Sequence, residues 1–154
     1  MTGRPTSAGP GGDGQSPPGL TPSVANAPAI AAMAVPFVEQ NYGVKLDYGV
    51  ASLGELDGII DDLRRDQRFE VLRPVLFSIG CYVGEVLVRH AGGRWRPAGE
   101  LGLGTMASSP IGVEMPDGRG CNPVGRVYRR FQRGRQDSLT LFVRSLQGAE
   151  GPPR

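Results

Sequence analysis

Glu85 is the residue in this chain whose surroundings most invite chemistry. It stands alone in "GCYVGEVLV", an apolar run holding two spaced glycines. A carboxyl group enclosed by hydrocarbon is pushed up in pKa and can serve as a general acid or base. The same burial makes an unpaired carboxylate too costly to keep, so a partner cation is required. Arg89, one helical turn on, can supply it, as can an arginine of a later basic segment. Pairing of this kind is the structural role, and it is the one expected.

Cys121 offers a second chemistry. It precedes a helix start at "NPVG" and has Arg119 and Arg126 close in sequence. Helix-end amides and cations lower a thiol's pKa and make it reactive. The single histidine, His90, could act as its base, so Glu85, Cys121 and His90 together sketch a small hydrolase or thiol enzyme. The plain alternative is an inert cysteine and a histidine at a helix C-terminus, where its charge is welcome. Cys81, inside the apolar run, reads as core. Two cysteines and one histidine without ligand spacing imply no metal site, and no cofactor is expected. "GLGTMA", from Gly102 to Ala107, matches G-x-G-x-x-A. No apolar strand precedes it, and "SSP" follows where a helix should open, so it reads as a loop.

The third feature is a stripe of arginines. In "NPVGRVYRRFQRG", Arg126, Arg129, Arg130 and Arg133 recur at helical spacing opposite Val124, Val127, Tyr128 and Phe131. Four guanidinium groups on one face suit an acidic protein surface or nucleic-acid phosphates. Net charge is only +2, with eight acids against four bases between Glu39 and Glu70, and seven bases against one acid between Arg119 and Arg144. That layout and a stripe without interleaved aromatics favour a protein partner over weak electrostatic binding of nucleic acid. The bland reading is a solvated face, partly matched by Asp57 and Asp61 of the same or a second molecule. A homo-oligomer therefore stays open.

Several elements must position these groups. In the 154-residue chain, 24 glycines and 14 prolines crowd toward the start. Met1–Pro28 holds six of each, no aromatic and two charges, too little to offset ordering entropy. Residues 1–29 are expected to be a disordered tail, 30–147 one domain and 148–154 a disordered end. Neither a secretory signal nor a membrane span is legible, and Pro74–Gly84, bounded by Arg73 and Glu85, reads as part of a buried helix. Without an export signal, two reduced thiols and a cytoplasmic location follow.

Ala31–Tyr42 predicts a weak helix beginning at Pro36 and stopped by Gly43. "VKLDY" is a short strand or an extended linker. "SLGELDGIIDDLRRD" predicts a helix with a Ser52/Glu55 capping box, an inner face of Leu53, Leu56, Ile59, Ile60 and Leu63, and a solvated outer face of Asp57, Asp61, Asp62 and Arg65. A central helix starts near Arg73-Pro74 and runs to about Arg89, with "AGGRW" ending it and Gly92 as a left-handed cap. In it Gly80 and Gly84 allow close approach of another element. "RWRP" and "IGVEM" are strands, with Trp95 inward and "PDGRG" as a turn. Asn122, Pro123 and Gly134 bound the arginine helix. "DSLTLFVRSL" is a final helix capped by Asp137 or Ser138, with a strand as the alternative. The sum is a small α+β domain of four to five helices on a short, mostly antiparallel sheet.

Residues 43–146 resemble a group of small bacterial domains of unknown function. The likeness rests on a G-x-x-x-G-E helix (Gly80, Gly84, Glu85), a G-x-x-W strand (Gly92, Trp95), and a proline followed by a basic helix (Pro123, Arg129, Arg130, Phe131, Gly134). The resemblance implies a compact α+β fold of the accessory or immunity-like kind and transfers no catalytic residue. The N-terminal tail and "GELGLGTMASSP" fall outside it.

Overall fold

The computed structural model describes residues 20–103 and 109–150, with side chains as far as Gln147. Helices α1 (Ala27–Tyr42), α2 (Ser52–Asp66) and α3 (Phe69–Ala91) come first. Strand β1 (Arg94–Pro97) leads through a 3-10 turn (Ala98–Leu101) to β2 (Ile111–Glu114) and β3 (Gly120–Cys121). Helix α4 (Pro123–Arg133), a second 3-10 turn (Arg135–Asp137) and α5 (Leu139–Glu150) complete the chain. The strands form one antiparallel sheet in the order β1-β2-β3, with Trp95 opposite Val113 and Val113 opposite Cys121. This is a small α+β domain of five helices and three strands. Residues 1–19, 104–108 and 151–154, and with them most of the expected tail, lie outside the described residues, while the boundaries expected at 29 and 148 shift to α1 at Ala27 and the end of α5 at Glu150.

Helix α3 is the hub, touching α1, α4, α5 and the sheet. Leu76, Ile79, Tyr82, Val83, Val86 and Leu87 are wholly buried round its circumference. It is longer than expected and, among the described residues, the one helix long and apolar enough to cross a membrane. Since 61% of that apolar window is buried inside the domain, the core already uses this surface. The two small residues admit different neighbours. A Cβ on Gly80 would lie 2.6 Å from Val124 Cα, and one on Gly84 would collide with the Trp95 ring. One glycine thus seats α4 and the other seats the sheet.

Both interior prolines depart from expectation in the same way. α1 begins at Ala27, with Pro28 in its first turn and Pro36 inside. α3 begins at Phe69, a turn before Pro74. A proline forfeits the bond to the carbonyl four residues back. Those carbonyls belong to Ala32 and Glu70, both exposed residues that water can reach. The apolar faces on either side keep the helices continuous: Ala27, Ile30 and Ala31 before Pro36, Leu72 and Leu76 around Pro74.

α2 corrects the capping box. Ser52 Oγ donates to the Gly49 carbonyl at 2.6 Å and pairs with Tyr82 Oη at 2.8 Å, so it caps nothing. "VKLDY" is an extended linker ending at Tyr48, whose φ of 66° is left-handed. Its ring stacks on Tyr82 at 4.6 Å, and its amide donates to Tyr82 Oη at 2.6 Å.

Candidate functional site

Glu85 is buried and spoken for. Trp95 Nε1 donates to its Oε2 at 2.8 Å, while Arg89 Nε lies 3.5 Å from its Oε1. Arg89 in turn lies over the Tyr48 ring, its Cζ 3.6 Å from the ring centroid. The G-x-x-x-G-E and G-x-x-W segments therefore meet: Gly84 makes room for the indole that hydrogen-bonds the next residue, Glu85.

The other members of the enzyme-like set stand apart. His90 is exposed at the end of α3, and its backbone carbonyl accepts from Gln147 Nε2 at 3.5 Å. Cys121 sits at the end of β3, half-buried. Burial pushes its thiol up to about 12, outweighing the opposing pull of Arg119 and Arg126. Burial also raises Cys81 to about 12. No hydrogen bond or ion pair joins any two of Glu85, Cys121 and His90 among the described residues. The helix-end environment that suggested an activated thiol is therefore overridden by desolvation.

The arginine stripe divides. Arg130 leaves the exposed face altogether and is one of the most deeply buried side chains in the domain. Its Nε donates to Asp57 Oδ1 at 2.8 Å, one terminal nitrogen to Asp61 Oδ1 at 2.9 Å, and the other to the Asp57 carbonyl at 2.9 Å. Burial opposes its charge, but the hydrogen bonds to Asp61 and Asp57 prevail and raise its pKa. The same bond holds Asp61 below the ordinary carboxylate range. Asp57 also receives the amide of Leu139 at 3.0 Å and the hydroxyl of Ser138 at 3.2 Å, so it caps α5 from another helix. Asp57 and Asp61 are thus not a solvated face. They clamp α4 and α5 onto α2 and line a cleft of about 360 Å³ beside Gly54, Gly58 and Arg135.

Arg126, Arg129 and Arg133 remain on the stripe and converge on Asp137, an acid weighed in the sequence only as a helix cap. Asp137 is buried. Arg126 reaches its Oδ1 at 3.1 Å, Arg129 Nε lies 3.9 Å from the same oxygen, and Arg133 Nε lies 3.4 Å from Oδ2. Only the first contact is a hydrogen bond. Arg126 Nε and Asp137 Oδ2 are buried without hydrogen-bond partners. The Arg126 guanidinium lies 4.7 Å from the Phe142 ring centre, and burial with neighbouring Arg129 lowers its pKa. Ser138 shares the capping of α5 with Asp57, its Oγ accepting the Leu141 amide at 3.3 Å, and Asp137 takes no part in it. The sequence signal for Asp137 was its position as the lone acid between Arg119 and Arg144.

Comparison with protein-family models, with curated proteins and with solved structures finds no match.

Proposed function

We propose that this protein is a non-catalytic binding module, of the accessory or immunity-like kind, that engages an acidic segment of another protein through Arg126, Arg129 and Arg133. One observation carries the reading: among the described residues, three guanidinium groups share a single carboxylate, Asp137, and make one hydrogen bond between them. Cations held together and left under-neutralised favour an external anion. Arg130 takes no part, since its donors are turned inward to Asp57 and Asp61. A base-stacking nucleic-acid surface has less support, because the ring at the patch, Phe142, is faced by Arg126. The free thiols Cys81 and Cys121 accord with a cytoplasmic setting.

The test is fluorescence anisotropy with a labelled glutamate-rich peptide and a neutral control. Wild-type protein binds the acidic peptide alone, and affinity falls as salt rises. Arg129→Gln with Arg133→Gln abolishes binding while the protein keeps its helical circular dichroism, because both side chains are substantially exposed and Arg126 still pairs with Asp137. Undiminished binding by that double variant removes this surface from the function.

A further inference from the structure

Arg130 and the Asp137 cluster set two states of arginine side by side in one helix. Arg130 directs three hydrogen bonds into two carboxylates and a carbonyl. Arg126, Arg129 and Arg133 carry about fifteen N–H donors between them, and one is hydrogen-bonded among the described residues. They are nonetheless gathered, all within 3.9 Å of the same carboxylate group. Gathering like charges costs energy that one buried acid only partly offsets. Asp137 therefore acts as a positioning residue that holds three guanidinium groups around one point and leaves two positive charges unbalanced there.

We infer that this patch recognises a dianionic phosphoryl group carried on a protein side chain. The inference rests on the proposed acidic-partner surface and names the group that surface reads. A phosphomonoester carries about −1.5 to −2 charges at pH 7, which matches the excess, and places three acceptor oxygens on one atom. Single carboxylates supply half that charge and must be brought together one by one. Arginine forks suit phosphoryl oxygens because each can donate two parallel hydrogen bonds. Arg129 and Arg133 present theirs outward, with side chains 43% and 56% exposed. Arg126 is the fixed member, held over Phe142 and tied to Asp137. Burial first, and then repulsion by Arg129, lowers the Arg126 pKa, and an anion alongside relieves the second of these.

The experiment uses one labelled peptide of glutamate and glycine with a central serine, glutamate or phosphoserine, titrated by anisotropy at physiological salt. The phosphoserine form is expected to bind about tenfold more tightly than the glutamate form, and inorganic phosphate should displace it. Arg129→Lys with Arg133→Lys keeps the charge and removes the forks, so it should retain glutamate-peptide binding and lose the phosphoserine preference. Equal binding of the glutamate and phosphoserine forms overturns the phosphoryl inference and leaves the acidic-partner reading standing. Failure of both peptides to bind removes both. Tighter binding of a single-stranded oligonucleotide than of the phosphopeptide overturns the side-chain source.

Discussion

Asp57 holds Arg130 twice, accepting its Nε at the carboxylate at 2.8 Å and a terminal nitrogen at the backbone carbonyl at 2.9 Å. The same carboxylate accepts the Leu139 amide, so one residue of α2 fixes α4 and the start of α5 together. Truncating one partner of a buried pair leaves the other charge stranded, at about 3–5 kcal/mol. Asp57→Ala should cost less than that, about 1.5–3 kcal/mol, because Arg130 keeps Asp61 and the backbone carbonyl at position 57, with a further ~1 kcal/mol for the lost helix cap. Asp61→Ala should cost less, because Arg130 keeps Asp57. Urea denaturation checks the order, and equal costs would show that the shared cap contributes nothing.

Much of this arrangement was legible in the chain, and the polar part of the remainder was hidden for one reason. The apolar faces, the Gly92 and Gly134 helix stops and the paired small residues Gly80 and Gly84 are local or periodic, and each falls where the pattern puts it. Periodicity puts Arg130 on the exposed stripe, with Asp57 and Asp61 of the same molecule only the alternative match that it in fact makes, because periodicity gives an angle around α4 but not which neighbours cover that angle. α2 and α5 both pack beside α4, and Asp57 and Asp61, one turn apart, meet Arg130 there. Ser52 failed as a cap for a similar reason, its hydroxyl being taken by Tyr82, 30 residues away. Polar side chains choose partners across the fold, and such choices leave no spacing to read.

Acid should loosen the α2–α4 clamp. The hydrogen bond from Arg130, before any other cause, lowers the Asp61 pKa in the folded state. A carboxylate with a depressed folded pKa contributes stability that is complete above its unfolded value, about 3.9. That contribution is lost as pH falls through the folded value. The stability difference between wild type and Asp61→Asn should therefore be constant from neutral pH down to about 5 and shrink below about 4. Comparing the two proteins cancels the distant acids Glu114 and Asp117, which are also shifted down. A difference that stays level to pH 2 would mean that Asp61 is not stabilised by its ion pair.

Alanine at the four interior glycines of α2 and α3 should split into two classes. At Gly80 and Gly84 the new methyl group meets Val124 or the Trp95 ring, so the helix or strand seated there must shift. Overpacking of this kind costs about 1–3 kcal/mol. At Gly54 and Gly58 a Cβ meets nothing within 4 Å. There the gain in helix propensity, about 1 kcal/mol per site, should appear as a higher thermal midpoint. A loss of stability at Gly54 or Gly58 would place an unrecognised contact in the cleft beside Asp57.

Cys121 tests whether the helix-end setting activates a thiol. With burial raising its pKa to about 12, the thiolate fraction at neutral pH lies far below that of a free cysteine near 8.5. Iodoacetamide should label Cys121 in the folded protein much more slowly than it labels glutathione, with a rate still climbing at pH 10. Unfolding in guanidinium should expose both Cys121 and Cys81 to rapid labelling, which mass spectrometry of the tryptic peptides distinguishes. Labelling of folded Cys121 as fast as glutathione, levelling off near neutral pH, would restore the thiol chemistry that its arginine neighbours first suggested.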